Sequence, residues 1–118
     1  YTTFRFSDIT LNRSSIGMDN ELVASVTVTN TGDRAGSEVV QLYIRDLVGS
    51  VTRPVKELKG FEKIYLQPNE SRTVRFTIAP EMLKFYNADL KFVAEPGDFD
   101  VMIGPDSRNV KTARFTLR

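Results

Sequence analysis

Five stretches of this chain alternate apolar and polar residues with a period of two, and no stretch of normal helix length carries a helical spacing. Val26 and Val28 alternate with Thr27 and Thr29, and Ala24 continues the apolar set. Val40, Leu42 and Ile44 alternate with Gln41, Tyr43 and Arg45, and Val74, Phe76 and Ile78 with Thr73, Arg75 and Thr77. Phe99, Val101 and Ile103 alternate with Asp98, Asp100 and Met102, and Ala113, Phe115 and Leu117 with Thr112, Arg114 and Thr116. Successive side chains of a strand point to opposite faces, so each run predicts a strand with one buried and one wet face. Antiparallel sheets are the ones that commonly leave a face in water.

Turn chemistry separates the runs. Asn30-Thr31-Gly32-Asp33, Gly49 to Pro54, Gln67-Pro68-Asn69-Glu70, Asn87-Ala88-Asp89, Pro96-Gly97 and Gly104-Pro105-Asp106 each supply residues that favour turns. Pro80-Glu81-Met82-Leu83-Lys84, with Pro in a first-turn position, predicts a single turn of helix. The expected strands cover about 3–11, 21–30, 37–46, 56–66, 71–79, 84–93, 98–103 and 111–117, seven or eight in all. Phe4, Phe6, Phe61, Phe76, Phe85, Phe92, Phe99 and Phe115 are spread over most of them and are expected between two layers. The fold class is therefore all-β, an antiparallel two-sheet sandwich of the immunoglobulin or fibronectin type III-like kind, with a barrel as the alternative. Residues 1–118 form one domain, with no repeat, low-complexity tract or linker to divide them.

Composition narrows the chemistry. The chain has no Cys, so it has no disulfide, thiolate nucleophile or cysteine-bound metal, and it has no His to serve a Ser-His-Asp triad. Lys and Arg number 16 against 15 Asp and Glu, a net charge of +1 that argues against nucleic-acid binding. No apolar run approaches the length of a membrane helix. Tyr1 opens the chain with neither Met nor a basic and apolar leader behind it, so an excised piece of a longer polypeptide is expected.

Few residues are placed for chemistry. Asp98 and Asp100 lie two apart on one strand face, about 6.6–7 Å from each other, a separation on the scale of glycosidase carboxyl pairs. The plainer reading is that they are the exposed positions of an amphipathic strand. Glu57 and Glu62, among Lys56, Lys59 and Lys63, read as alternating charges on an exposed or edge strand. Asp33, Asp46, Asp89 and Asp106 sit in or beside loops that lack the dense acidic spacing of a calcium site. Tyr43, Tyr65 and Tyr86 are the aromatics open to a sugar ring. Tyr43 lies opposite the Val40–Ile44 apolar set, although a Tyr so placed more often packs its ring and wets its hydroxyl. Gly32, Gly60, Gly97 and Gly104 read as turn or bulge residues. No catalytic, cofactor-binding or metal-binding residue is assigned.

Four segments carry a family resemblance. Val28-Thr29-Asn30-Thr31-Gly32 leads into Glu38-Val39-Val40-Gln41-Leu42-Tyr43. Arg53-Pro54-Val55-Lys56-Glu57-Leu58-Lys59-Gly60-Phe61-Glu62-Lys63 follows, then Leu66-Gln67-Pro68-Asn69-Glu70-Ser71. The last is Glu95-Pro96-Gly97-Asp98-Phe99-Asp100-Val101-Met102-Ile103-Gly104. In this order the chain resembles the C-terminal fibronectin type III-like domain of glycoside hydrolase family 3 enzymes, over essentially its whole length. Two departures are Asn69, where Gly is frequent, and Phe99, where Tyr is frequent in general fibronectin-type domains; Asn tolerates the positive φ such a turn needs.

The resemblance implies a non-catalytic accessory domain. The family's nucleophilic Asp and acid/base Glu lie on other domains, so neither is carried onto this chain. It implies a periplasmic or secreted parent that releases terminal β-linked glucose from non-reducing ends with retention. Partners would be the catalytic domains of the same chain, with gluco-oligosaccharide as a further candidate and neither nucleic acid nor membrane. Arg53, Lys56 and Glu57 are the interdomain contact candidates, Tyr43 and Tyr65 the sugar-contact candidates, and Leu58 and Phe61 supply core or interdomain packing. A general interaction module of fibronectin type is the remaining alternative.

Overall fold

The computed structural model describes residues 2–47, 56–86 and 89–118, with only the backbone of Phe85 and Tyr86. Its strands are β1 (Phe4–Phe6), β2 (Thr10–Leu11), β3 (Ser15–Ile16), β4 (Leu22–Asn30), β5 (Gly36–Asp46), β6 (Lys56–Leu66), β7 (Ser71–Ile78), β8 (Phe85–Tyr86), β9 (Phe92–Val93), β10 (Gly97–Gly104) and β11 (Lys111–Leu117). A 3-10 turn, Pro80–Leu83, sits where a helical turn is expected, its Met82 N–H donating to the Ala79 carbonyl at 2.9 Å.

Two sheets form the sandwich. The first places β4 at its centre, with β7 on one side and β1 and β2 as short partners on the other. The second runs β3-β11-β10-β5-β6. All pairs are antiparallel except β3 with β11. The apolar sets of the five alternating runs face inward. Leu22, Ala24, Val26 and Val28 of β4 and Val74 and Ile78 of β7 meet Val40, Leu42, Ile44, Phe99, Val101, Ile103, Phe115 and Leu117 across the gap. Burying such side chains contributes about 1.5–3 kcal/mol each and drives the two layers together. Phe99 and Phe115, opposite one another on β10 and β11, stack with ring centroids 5.4 Å apart.

Several expected elements differ. The run 3–11 breaks into β1 and β2 at Ser7, whose Oγ accepts the Thr27 N–H at 2.8 Å in place of a backbone carbonyl. β3 is too short to show any alternation, yet it crosses to the second sheet and buries Ile16 completely. The run 84–93 is not one strand; its ends form the separate β8-β9 pair, with Leu90 between them at φ 60°. The phenylalanines do not all lie between the layers. Among the phenylalanines whose side chains are described, only Phe99 and Phe115 are fully buried, Phe4, Phe6 and Phe76 are partly so, and Phe61 and Phe92 are exposed.

The turns follow their chemistry. Asn69 takes φ 65°, the left-handed conformation its position requires. Asn30 is buried and serves as a four-way hub. Its Oδ1 accepts from Thr2 Oγ1 at 2.7 Å and from the Gly32 N–H at 3.0 Å, and its Nδ2 donates to the carbonyls of Arg34 at 2.7 Å and Leu66 at 3.1 Å. Gly32 is required beside it, because a Cβ there would lie 1.8 Å from Thr2 Oγ1. Asp106 closes the β10-β11 turn by accepting the N–H groups of Arg108 and Asn109 at 2.8 and 2.9 Å. The Gly49–Pro54 loop and Asn87-Ala88 lie outside the described residues.

Candidate functional site

The outward side chains of the second sheet make the surface with the most unusual chemistry. β6 is its edge, as the charge pattern predicts, and pairs with β5 from Gly36↔Leu66 to Arg45↔Lys56. The register slips between Leu42 and Tyr43. Leu42 faces Gly60 and Tyr43 faces Leu58, so Lys59 is the extra residue of a bulge. That bulge puts Leu58 and Phe61, three apart in sequence, on one face. Phe61, Lys63 and Tyr65 continue it at strand spacing.

Phe61 is 70 % exposed, Tyr65 55 % and Leu58 52 %. Three large apolar or aromatic side chains on one edge strand are not the scatter expected of a water-facing sheet. Leu58 and Phe61 thus take no part in the core. Charges surround them: Glu57 pairs with Lys59 at 3.7 Å, Lys56 Nζ donates to the Ser107 carbonyl, and Lys63 stands between Phe61 and Tyr65.

Further into the same face, the sequence expectation fails for β10. Asp100 and Met102 are buried, each only 4 % exposed, rather than wet. β10 is the central strand, and Asp100 stands directly between Arg45 of β5 and Arg114 of β11. Arg45 Nη2 donates to its Oδ2 at 3.1 Å and Arg114 Nε to its Oδ1 at 3.3 Å. The two long side chains fold over the carboxylate and pair with it at once. Asp98 accepts from Thr116 Oγ1 at 2.8 Å. Both carboxylates are therefore engaged with neighbours and are not an acid/base pair around an open site.

The sequence-predicted site residues are placed as follows. Lys56 and Glu57 open β6 at the edge of this face, and Arg53 lies outside the described residues. Tyr43 and Tyr65 share the face, but Tyr65 opposes Ser37, six residues from Tyr43 along β5, a separation of about 20 Å. Tyr43 is half-buried and its hydroxyl donates to Gln41 Oε1. The two tyrosines thus form no common platform. The side chain of Tyr86 is outside the description. Among the described residues, no three acidic groups gather to hold a metal ion.

Reasoning from sequence missed one feature and left a second open, since Leu58 and Phe61 could serve the core or an interdomain contact. The Arg45–Asp100–Arg114 clamp needs a three-strand register that no single run reveals. The exposed stripe had a signal, the break from period two to a spacing of three in Leu58-Lys59-Gly60-Phe61.

Residues 38–107 match the fibronectin type III-like domain family. The chain belongs to that family. This fibronectin type III-like domain is 53 % identical over 117 residues to the periplasmic β-glucosidase of Salmonella typhimurium, covering 99 % of the domain and 15 % of that protein. It is 43 % identical over 120 residues to a β-xylosidase of Formosa agariphila, covering 100 % of the domain and 17 % of that protein. A β-glucosidase structure from Erythrobacter marinus superposes with a TM-score of 0.92 at 47 % identity, covering 99 % of the domain and 16 % of that chain. The domain thus spans about one-sixth of the length of these relatives. No helix among the described residues is long and apolar enough to cross a membrane.

Proposed function

We propose that this domain is a non-catalytic accessory module of a larger family 3 glycoside hydrolase, packed against the catalytic domains of the same polypeptide. The observation that carries the reading is the near-complete match of the domain to a small fraction of much longer glycosidases. Those proteins are named both β-glucosidase and β-xylosidase, so sugar preference is assigned to the rest of the chain. The parent is read as a retaining β-glucosidase that removes terminal β-D-glucosyl residues from non-reducing ends. A periplasmic parent is supported by the name of one relative.

Arg53, Lys56 and Glu57 are proposed as contact residues; Lys56 and Glu57 open β6, where a charged edge strand adjoins the exposed apolar stripe, and Arg53 lies outside the described residues. A gluco-oligosaccharide contact is the second reading, favoured by the exposure of Tyr65, with Tyr43 as a separate point on the same face.

Deletion of the domain from the parent tests the first reading. A parent that loses soluble, active enzyme on deletion supports it, and one that keeps full activity and thermal stability overturns it. Hydrolysis of an aryl glucoside by the pure domain would overturn the non-catalytic assignment. Chemical-shift titration with gluco-oligosaccharides tests the second reading, which requires saturable shifts around Tyr65 or Tyr43.

A further inference from the structure

The exposed apolar stripe of β6 identifies which side of the domain is covered, and by what. The inference rests on the accessory-module reading and adds the face and its chemistry. The outward face of the first sheet offers no comparable anchor. Its β4 and β7 positions are hydroxyls and Arg75, with hydroxyls paired across the strands, and the one apolar side chain among them, Val23, is half-buried. The outward face of the second sheet carries Leu58, Phe61 and Tyr65 at 52–70 % exposure, beside the half-buried Val39 and Tyr43.

Its charge is one-sided as well. Asp98 and Asp100 are engaged with Thr116, Arg45 and Arg114. One carboxylate shared by two guanidiniums leaves an excess positive charge at the clamp, and Arg114 remains well exposed. Among the described residues, Lys63 has no side-chain partner between the two exposed rings. Glu62 is exposed on the same strand but opposes Val40 and so lies on the other side of β6, which leaves the uncommitted charge of the outward face positive.

We infer that the outer face of the β3-β11-β10-β5-β6 sheet, centred on Phe61, is covered by the remainder of the parent polypeptide. The covering surface is apolar opposite Leu58, Phe61 and Tyr65 and acidic opposite Lys63 and Arg114. The occupant follows from length and charge together. The domain accounts for 15–17 % of the relatives it matches, so most of such a chain lies outside this structure and is tethered to it. A tethered surface is present at high effective concentration, which a free partner of equal complementarity is not. A second copy would bring the same positive excess against itself, and like charges at an interface are unfavourable.

Hydroxyl-radical footprinting of the full parent chain tests this, with labelling normalised to each residue type's intrinsic reactivity. Leu58, Phe61 and Tyr65 should be labelled at least about fivefold less than their exposure here requires, while Met18, 56 % exposed and away from the face, stays reactive. Lys63→Glu should restore labelling of Phe61 by about threefold or more, because it sets a carboxylate against an acidic surface. Unchanged labelling in that variant would overturn the acidic assignment. Reactive β6 side chains with protection of Val23, Thr27 and Thr73 instead would overturn the face while sparing the accessory-module reading. Full reactivity on both faces would overturn the two together. Protection that vanishes on dilution would assign the face to a second copy and overturn the tethered occupant.

Discussion

The two outward faces of the sandwich were built from the same strand periodicity and came out opposite in character. On the first sheet, the outward residues are mostly hydroxyls, several of them paired across the strands. Thr29 and Ser71 lie 2.7 Å apart and Thr27 and Thr73 3.3 Å apart across the β4-β7 ladder. Such a face gains nothing from being covered, since its polar groups are already paired or wet. On the second sheet the outward positions hold a buried carboxylate, a buried Met102 and three exposed apolar anchors. The difference lies in strand position. β10 has neighbours on both sides whose long side chains close over it, whereas β6 is an edge whose bulge turns Leu58 and Phe61 out together. Alternation alone gives a strand two faces; the neighbours decide which of them meets water.

Four substitutions would break or sharpen that contrast. The largest effect is expected at Asn30, the polar group that ties the end of β4 to the Leu66 carbonyl of β6. Asn30→Ala strands the buried Leu66 carbonyl, the part-buried Arg34 carbonyl and a turn N–H, and should cost about 3 kcal/mol in urea unfolding. A loss below 1 kcal/mol would mean that the faces are less firmly tied than the hub suggests.

Next is Asp100→Asn, which removes the charge that two guanidiniums share. About 2 kcal/mol should be lost, less than for a fully buried pair because both arginines reach solvent. Equal costs for Asp100→Asn and a first-sheet hydroxyl deletion would erase the distinction between the faces. Thr29→Ala supplies that hydroxyl deletion. It removes one cross-strand hydrogen bond on the wet face and should cost no more than about 0.5–1 kcal/mol.

The smallest effect belongs to neither face. The Asn109 amide group, with the N–H groups of Arg108 and Asn109, holds the Asp106 carboxyl below its ordinary pKa of 3.8. A carboxylate with a lowered folded pKa stabilises the fold above its unfolded value and loses that contribution as pH falls through the lowered one. Unfolding midpoints followed from about pH 5 to pH 2 should therefore fall less steeply in Asp106→Asn than in the parent sequence. Identical slopes would assign acid sensitivity to other carboxylates.

Much of the fold was legible in the chain. The inward sets of β4, β5, β7, β10 and β11 could be read residue by residue, because apolar side chains at every second position have one economical arrangement, a sandwich. The Asn69 turn, the 3-10 turn at Pro80 and the edge character of β6 were equally local, since each depends on residues adjacent in sequence. β3 escaped because two residues carry no period. The splitting of 3–11 depended on Ser7 meeting Thr27, twenty residues away.

The candidate site was less legible for the same reason. Sequence alone determined that Leu58 and Phe61 are large, apolar and set among charges, and that Asp98 and Asp100 share a strand face. Only the tertiary structure decided that the former are exposed and the latter engaged. Exposure is a property of neighbours brought from 41–45 and 112–116, and a chain's local pattern holds no record of which strands will stand beside it.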